Sequence, residues 1–346
     1  MDYIIANKEW IFSGIGIFIV GGIISLLKKK SSVKPINNKY QDGNNNIQTD
    51  GTVTINNTTH VYEKKESKKK SPLIELANKF YSIFEYHGVS RSQIPSFIDK
   101  KFNIEYPDID DEKAIVPKLN QDLLKWVSLK FGIRRSWFDE KDEIYSSRYM
   151  YDSIDCYKYT GAFISLLSKL IDEFTVYDYK KYIEVYFLKT FKDFKGDNSG
   201  EGGIADVLVI VSVEIGNTTT NSVNKYILIT PNLRWDYGKS RHDIKRMIRI
   251  AEKLGITTRG YDISESEYYE IGSREVVPRA TILNQKRVTW YPEDYDGSFN
   301  DRIDEIEYEH SKLFQESLRN IDDKICEILE EKRQQFINKR FNNDMT

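Results

Sequence analysis

Cysteine is almost absent: Cys156 and Cys326 are the only two in 346 residues. Two thiols that far apart build neither a disulfide framework nor a thiolate zinc site, and their scarcity suits a reducing compartment. Histidine is as sparse, with His60, His87, His242 and His310 scattered singly, so no imidazole cluster stands ready for a structural metal. An excess of either charge is also missing. Lys and Arg total 51 against 53 Asp and Glu, a formal net charge of −2, so no global field selects nucleic acid or anionic lipid. Cofactor and catalytic signatures are lacking too: there is no P-loop, nucleophile elbow or HExxH. The glycines at 196, 200, 202 and 203 do not spell GxGxxG and read as a loop, so no cofactor is expected.

What is present begins with an apolar run. From Trp10 to Leu27 the chain carries no charge for 18 residues, about 27 Å of helix at 1.5 Å per residue. Lys28, Lys29, Lys30, Lys34 and Lys39 follow it, the reverse of a cleaved signal peptide. The positive-inside rule then predicts a single-pass anchor in the cell membrane over residues 1–30, with its N-terminus outside and the remaining domains cytoplasmic. Within it Gly14, Gly21 and Ser25 share one helical face, a packing seam through which copies would form a homo-oligomer in the lipid bilayer. Residues 31–71 turn to Asn, Gly, Thr, Ser and Lys, a polar linker. Thr52 to Asn56 alternates with period two after Asp50-Gly51, the pattern of a short β-hairpin.

A helical module is predicted over 72–150. Ser71 and Pro72 suit a helix start, and Leu73, Leu76, Ala77, Phe80, Ile83 and Phe84 recur at three- and four-residue spacing until Gly88. Ser90 and Gln93 fit a capping box for a second helix. A third runs from Asn120 to Lys130 and stops at Gly132. The segments EYHGVSRSQIPSF and LLKWVSLKFGIRRSWFDE resemble helix-turn-helix domains of the phage-repressor type. Where the resemblance calls for a recognition helix, the chain has Glu105, Pro107, Asp108, Asp110, Asp111 and Glu112. Those carboxylates repel phosphates and Pro107 interrupts a helix, so the module reads as a bundle that does not read DNA.

Residues 151–295 alternate helices and strands. YIEVYFLKTF, ADVLVIVSVEI and NKYILIT are strands joined by short polar connections, a pattern favouring antiparallel hairpins. The expected class is α+β: an N-terminal transmembrane helix, a helix-turn-helix-like module, a mainly antiparallel sheet with packed helices, and a C-terminal helix within 296–346. In that last helix Phe314, Leu318, Ile321, Ile325 and Ile328 form a seam for a partner chain or for the sheet domain.

The most informative surface is the helix beginning at Ser240. Arg241, Lys245 and Arg249 repeat every fourth residue on one face, behind Arg234, Trp235 and Tyr237 at the strand-to-helix turn. Cations, aromatics and first-turn amides together fit a nucleotide, a nucleic-acid backbone or an acidic protein partner. Asp206 and Glu214 are the pair a metal-dependent nuclease would use as ligands. They lie eight residues apart in one strand, about 26 Å when extended.

The run IANKEWIFSGIGIFIVGGIISLLKKK with the Asn-rich NNIQTDGTVTINN tract resembles the N-terminal anchors of bacterial proteins associated with phage defence and stress signalling. That resemblance implies a membrane-anchored cytoplasmic sensor or effector, not an enzyme, which binds a ligand through its α+β domain. A metal-dependent nuclease and a membrane-tethered transcription regulator are the alternatives.

Overall fold

A computed structural model describes residues 71–139, 150–174, 178–190, 205–284, 286–296 and 311–343, all within one unit, Glu66–Thr346. Helix α1 (Pro72–Tyr86) starts with Pro in its first turn and buries Ala77, Phe80, Tyr81, Ile83 and Phe84. It ends where Gly88 takes φ +82. A Cβ at Gly88 would also lie 2.4 Å from the Arg279 guanidinium, a flexible side-chain end that could swing aside, so it is the backbone conformation that favours glycine. Gln93 Oε1 accepts from the Ser90 backbone N–H at 3.0 Å, ahead of α2 (Ile94–Phe97).

The acidic stretch that follows forms no recognition helix. Its residues make a 3-10 turn, Tyr106–Ile109, and α3 (Glu112–Ile115), and the carboxylates serve locally. Asp111 caps α3 by accepting from the N–H groups of Lys113 and Ala114, Asp108 pairs with Lys118, and Glu112 pairs with Arg91. Next come α4 (Gln121–Phe131), capped by Asn120 and ended by Gly132 at φ 72, and α5 (Arg135–Asp139).

The remaining elements are β1 (Ser153–Ile154), α6 (Thr160–Asp172), α7 (Tyr179–Tyr182), β2 (Ile183–Thr190), β3 (Asp206–Asn217), β4 (Ser222–Arg234), α8 (Gly238–Lys253), β5 (Thr257–Ile263), α9 (Glu265–Gly272), α10 (Arg279–Ile282), β6 (Thr289–Trp290) and α11 (Ser311–Asn343). The strand order is β1-β4-β3-β2-β5-β6. β2, β3 and β4 form the antiparallel meander that their short connections require. However, β5 lies parallel to β2 and β1 parallel to β4, so the sheet is mixed, with three of its five strand pairings antiparallel. For β5 the cause is α8: a helical crossover returns the chain to the far side of the meander in the direction in which β2 runs.

Alternation along the strands gives the sheet two apolar faces. Tyr186, Leu188, Leu208 and Ile210 pack with Phe80, Phe84 and Phe131 of the helical module and with Tyr268 and Ile271 of α9. Val185, Phe187, Val207, Val209 and Val211 pack against Phe163 and Leu167 of α6, Ile244, Met247 and Ile248 of α8, and Ile321 and Ile325 of α11. Helices on both sides explain why β2 and β3 are apolar almost without interruption. The helical module and one face of the sheet share a single core.

The expected transmembrane helix and single-pass membrane localisation are corrected here. Among the described residues no helix is long and apolar enough to cross a membrane. The 33-residue α11 is long enough, about 50 Å, but carries charged side chains throughout Lys312 to Arg333. The segment Trp10–Leu27, with Gly14, Gly21 and Ser25, and the hairpin expected at 50–56 lie outside the described residues. The fold is therefore α+β with a mixed six-stranded sheet, and with no membrane-spanning helix among the described residues.

Candidate functional site

β4 departs from the ladder near its end. Val207 and Val209 of β3 face Leu233 and Ile229 of β4, so Thr230, Pro231 and Asn232 stand opposite Leu208 alone. This is a bulge. Pro231 has no N–H to give the ladder, and Thr230 (φ 28) and Asn232 (φ 69) are held at positive φ. Such a backbone is uncommon for any side chain and an outlier for a β-branched one. Thr230 is pinned by side-chain bonds: its Oγ1 accepts from the Cys156 N–H at 2.6 Å and donates to Asp155 Oδ1 at 3.1 Å. The facing loop carries a third positive φ, Lys158 at 60.

Between bulge and loop lies a cleft of about 400 Å³, lined in part by Asp155, Tyr157, Asn232, Arg234 and Tyr237. That volume lies within the usual range for a small-ligand site. Asp155 Oδ1 also accepts from the Tyr157 N–H, which turns the loop toward the bulge. The Tyr157 hydroxyl bonds to Tyr237, and burial followed by this bond pushes its pKa up to about 12, so it remains a neutral hydroxyl near pH 7. Arg234 is mostly exposed at its side chain and forked onto Asp236, whose hydrogen bonds hold it charged. Its own N–H donates to Ser240 Oγ at 2.8 Å, which ties the end of β4 to the first turn of α8. Behind the cleft, Asp243 is 1% exposed. Its Oδ2 accepts from the Lys158 N–H and its Oδ1 from Arg246, while burial pushes its pKa up despite both partners. Burial likewise pushes the Cys156 thiol up to about 11, which keeps it protonated and unsuited to nucleophilic work.

Of the residues singled out by sequence, Arg234 and Tyr237 line this cleft. Trp235 and Arg241 sit directly behind it: Trp235 is buried against Tyr295, and Arg241 Nη1 donates to the Trp235 carbonyl at 2.8 Å. Lys245 is 2% exposed, its ammonium over the Trp235 ring. Arg249 faces α11, where Nε and Nη2 grip Asp322 at 2.8 and 2.6 Å and Nη1 reaches Asp296 at 3.2 Å. The charge at Lys245 and Arg249 is thus directed inward or toward another helix. Asp155, Tyr157, Thr230 and Asn232 were missed by sequence reasoning. The available signal was Thr-Pro-Asn inside an otherwise regular strand, because Pro marks a bulge there and Asn tolerates positive φ.

Asp206 and Glu214 are not brought together. Asp206 registers opposite Arg234, whereas Glu214 lies near the far end of β3, beside Trp126 and Lys225. Among the described residues no group of three His, Cys, Asp or Glu side chains is placed to hold a metal ion. No protein family, curated protein or solved structure matches the chain.

Proposed function

We propose that this chain is a ligand-binding sensor or effector, of the kind that serves bacterial antiphage or stress defence, and that its α+β domain takes a small anionic, hydroxyl-bearing ligand in the cleft at the end of β4. The observation that carries this reading is the strained bulge. Each non-glycine residue held in a sparsely populated region costs about 1–3 kcal/mol, and such strain concentrates at functional sites. Three of the five such residues among those described, Lys158, Thr230 and Asn232, border or adjoin this one cleft.

The lining supports the ligand class. Arg234 and the first-turn N–H groups of α8 favour an anion. Tyr157 and Tyr237 offer ring faces and neutral hydroxyls, and Asp155 accepts from a ligand hydroxyl or amine. A nucleoside monophosphate satisfies all three groups.

The test is a thermal-shift panel of nucleoside monophosphates, inorganic phosphate and nucleosides on the full chain. A nucleotide at a hundred times its Kd adds about 2.7 kcal/mol of stability. Arg234→Ala and Tyr237→Ala should each remove that gain with little change in the unliganded melting temperature. Equal gains in wild type and both variants, or none with any phosphorylated compound, would overturn the reading.

A further inference from the structure

A second surface lies on the helical module, apart from the cleft. Helix α4 turns Leu129 outward with 72% of its surface in water, beside a half-buried Trp126. A lone exposed leucine means little, but this one separates two concavities that both include Trp126 and Leu129. One, about 550 Å³, adds Phe102 and Lys101. The other, about 630 Å³, adds Phe174, Tyr182 and Ile215. Phe102 meets Trp126 edge-on at 5.8 Å, and Phe174 stacks on Tyr182 at 5.3 Å, so the aromatic walls are packed into fixed positions. The result is a groove along α4 in which aromatic and aliphatic side chains stand among charged ones.

Its charged groups are of both signs: Lys101, Lys125, Lys130 and Lys225 against Asp122, Glu173 and Glu214. Lys125 and Lys130 stand beside Trp126 and Leu129, and neither pairs with a carboxylate among the described residues. Burial and the neighbouring Lys225 lower the pKa of Lys130, and a nearby anion would oppose that shift by favouring the charged form. Lys225 itself reaches Glu173 at only 3.4 Å. The carboxylates of Asp122, Glu173 and Glu214 also line the groove. They disfavour a continuous phosphate backbone. An occupant must bury Leu129 and Trp126 while placing separate negative charges near Lys125 and Lys130.

We propose that this groove docks an acidic amphipathic peptide segment of a partner protein, with large apolar side chains seated on Trp126 and Leu129 and carboxylates toward Lys125 and Lys130. Two turns of α4 match the spacing of apolar anchors at i and i+4 or i+7 on a docked helix. The charge-assisted part of the affinity falls with salt and the apolar part does not.

The probe is a fluorescein-labelled synthetic helix with leucine on one face and glutamate on the other, titrated by anisotropy against the full chain. A lysine-for-glutamate version and a short oligothymidylate are the comparisons. The acidic peptide should bind, and Leu129→Asp and the double change Lys125→Glu with Lys130→Glu should each weaken it about tenfold or more. Because Leu129 is exposed, its variant should keep the wild-type melting temperature, and Arg234→Ala should leave binding unchanged. No binding of the acidic peptide, undiminished binding by Leu129→Asp, or tighter binding of the basic peptide or the oligonucleotide overturns the proposal.

Discussion

Thr230 and Asn232 show how much of the site rests on single backbone conformations. Asn adopts positive φ more readily than residues without a short polar side chain, and Gly adopts it freely. Asn232→Ala should therefore destabilise the chain by about 1 kcal/mol, whereas Asn232→Gly should be close to neutral in chemical denaturation. Equal losses would mean that the asparagine side chain, not the backbone, is what matters. Glu252 gives a second test at this scale. Burial, then Asp296 and Glu293, push its carboxyl up to about 7, against the pull of Arg249 and Lys253. A carboxyl with a raised folded pKa contributes stability that is fully present below its ordinary value of 4.5 and is lost as pH rises through about 7. Glu252→Gln should accordingly stabilise the protein by about 1 kcal/mol at pH 8, once solvent screening of a half-buried group is allowed for, and by little below pH 4.5. Denaturation curves at the two pH values check the difference, and a pH-independent effect would assign it to packing.

Among the elements, α8 and α11 were partly legible and partly misread. The buried face Ile244, Met247, Ile248, Ala251 and Leu254 follows from helical spacing, and the structure buries all five. The same periodicity places Arg241, Lys245 and Arg249 on another face but says nothing of what covers that face. Only long-range packing shows that α11 lies there, with Asp322 held in a two-pronged bond by Arg249 and also approached by Lys253. The α11 seam was legible as spacing, and its partner was not: Ile321 and Ile325 pack onto the sheet domain. Ile325→Ala should cost roughly 2–4 kcal/mol. Hydrogen exchange should then quicken along 314–329 more than in β3; unchanged protection there would contradict the docking. The meander was readable from composition, whereas the direction of β5 depended on the crossover.

For the whole molecule, the shared core has a mechanical consequence. Sequence grammar separates a helical module from a sheet domain because local periodicity changes near residue 150. Yet Phe84 and Phe131 belong to the same apolar cluster as Leu188 and Ile210, and a contact between distant segments leaves no local signature. Unfolding should therefore be one cooperative transition for the described unit. Phe84→Ala should lower that single midpoint by an amount equivalent to about 3–5 kcal/mol, seen equally in far-ultraviolet circular dichroism and tryptophan fluorescence. Two separated transitions would show that the layers are independent. The cleft was less legible than the core, since it joins residues 153–158 to 230–240 across the sheet and depends on a bulge announced only by Pro231.

The central claim is that the strained end of β4 is a ligand site, and hydrogen exchange of the full chain with and without saturating nucleoside monophosphate tests it most directly. The account predicts slowed exchange confined to 153–158 and 230–240, abolished by Arg234→Ala. Protection elsewhere, or none at these two segments while the nucleotide is bound, would contradict it.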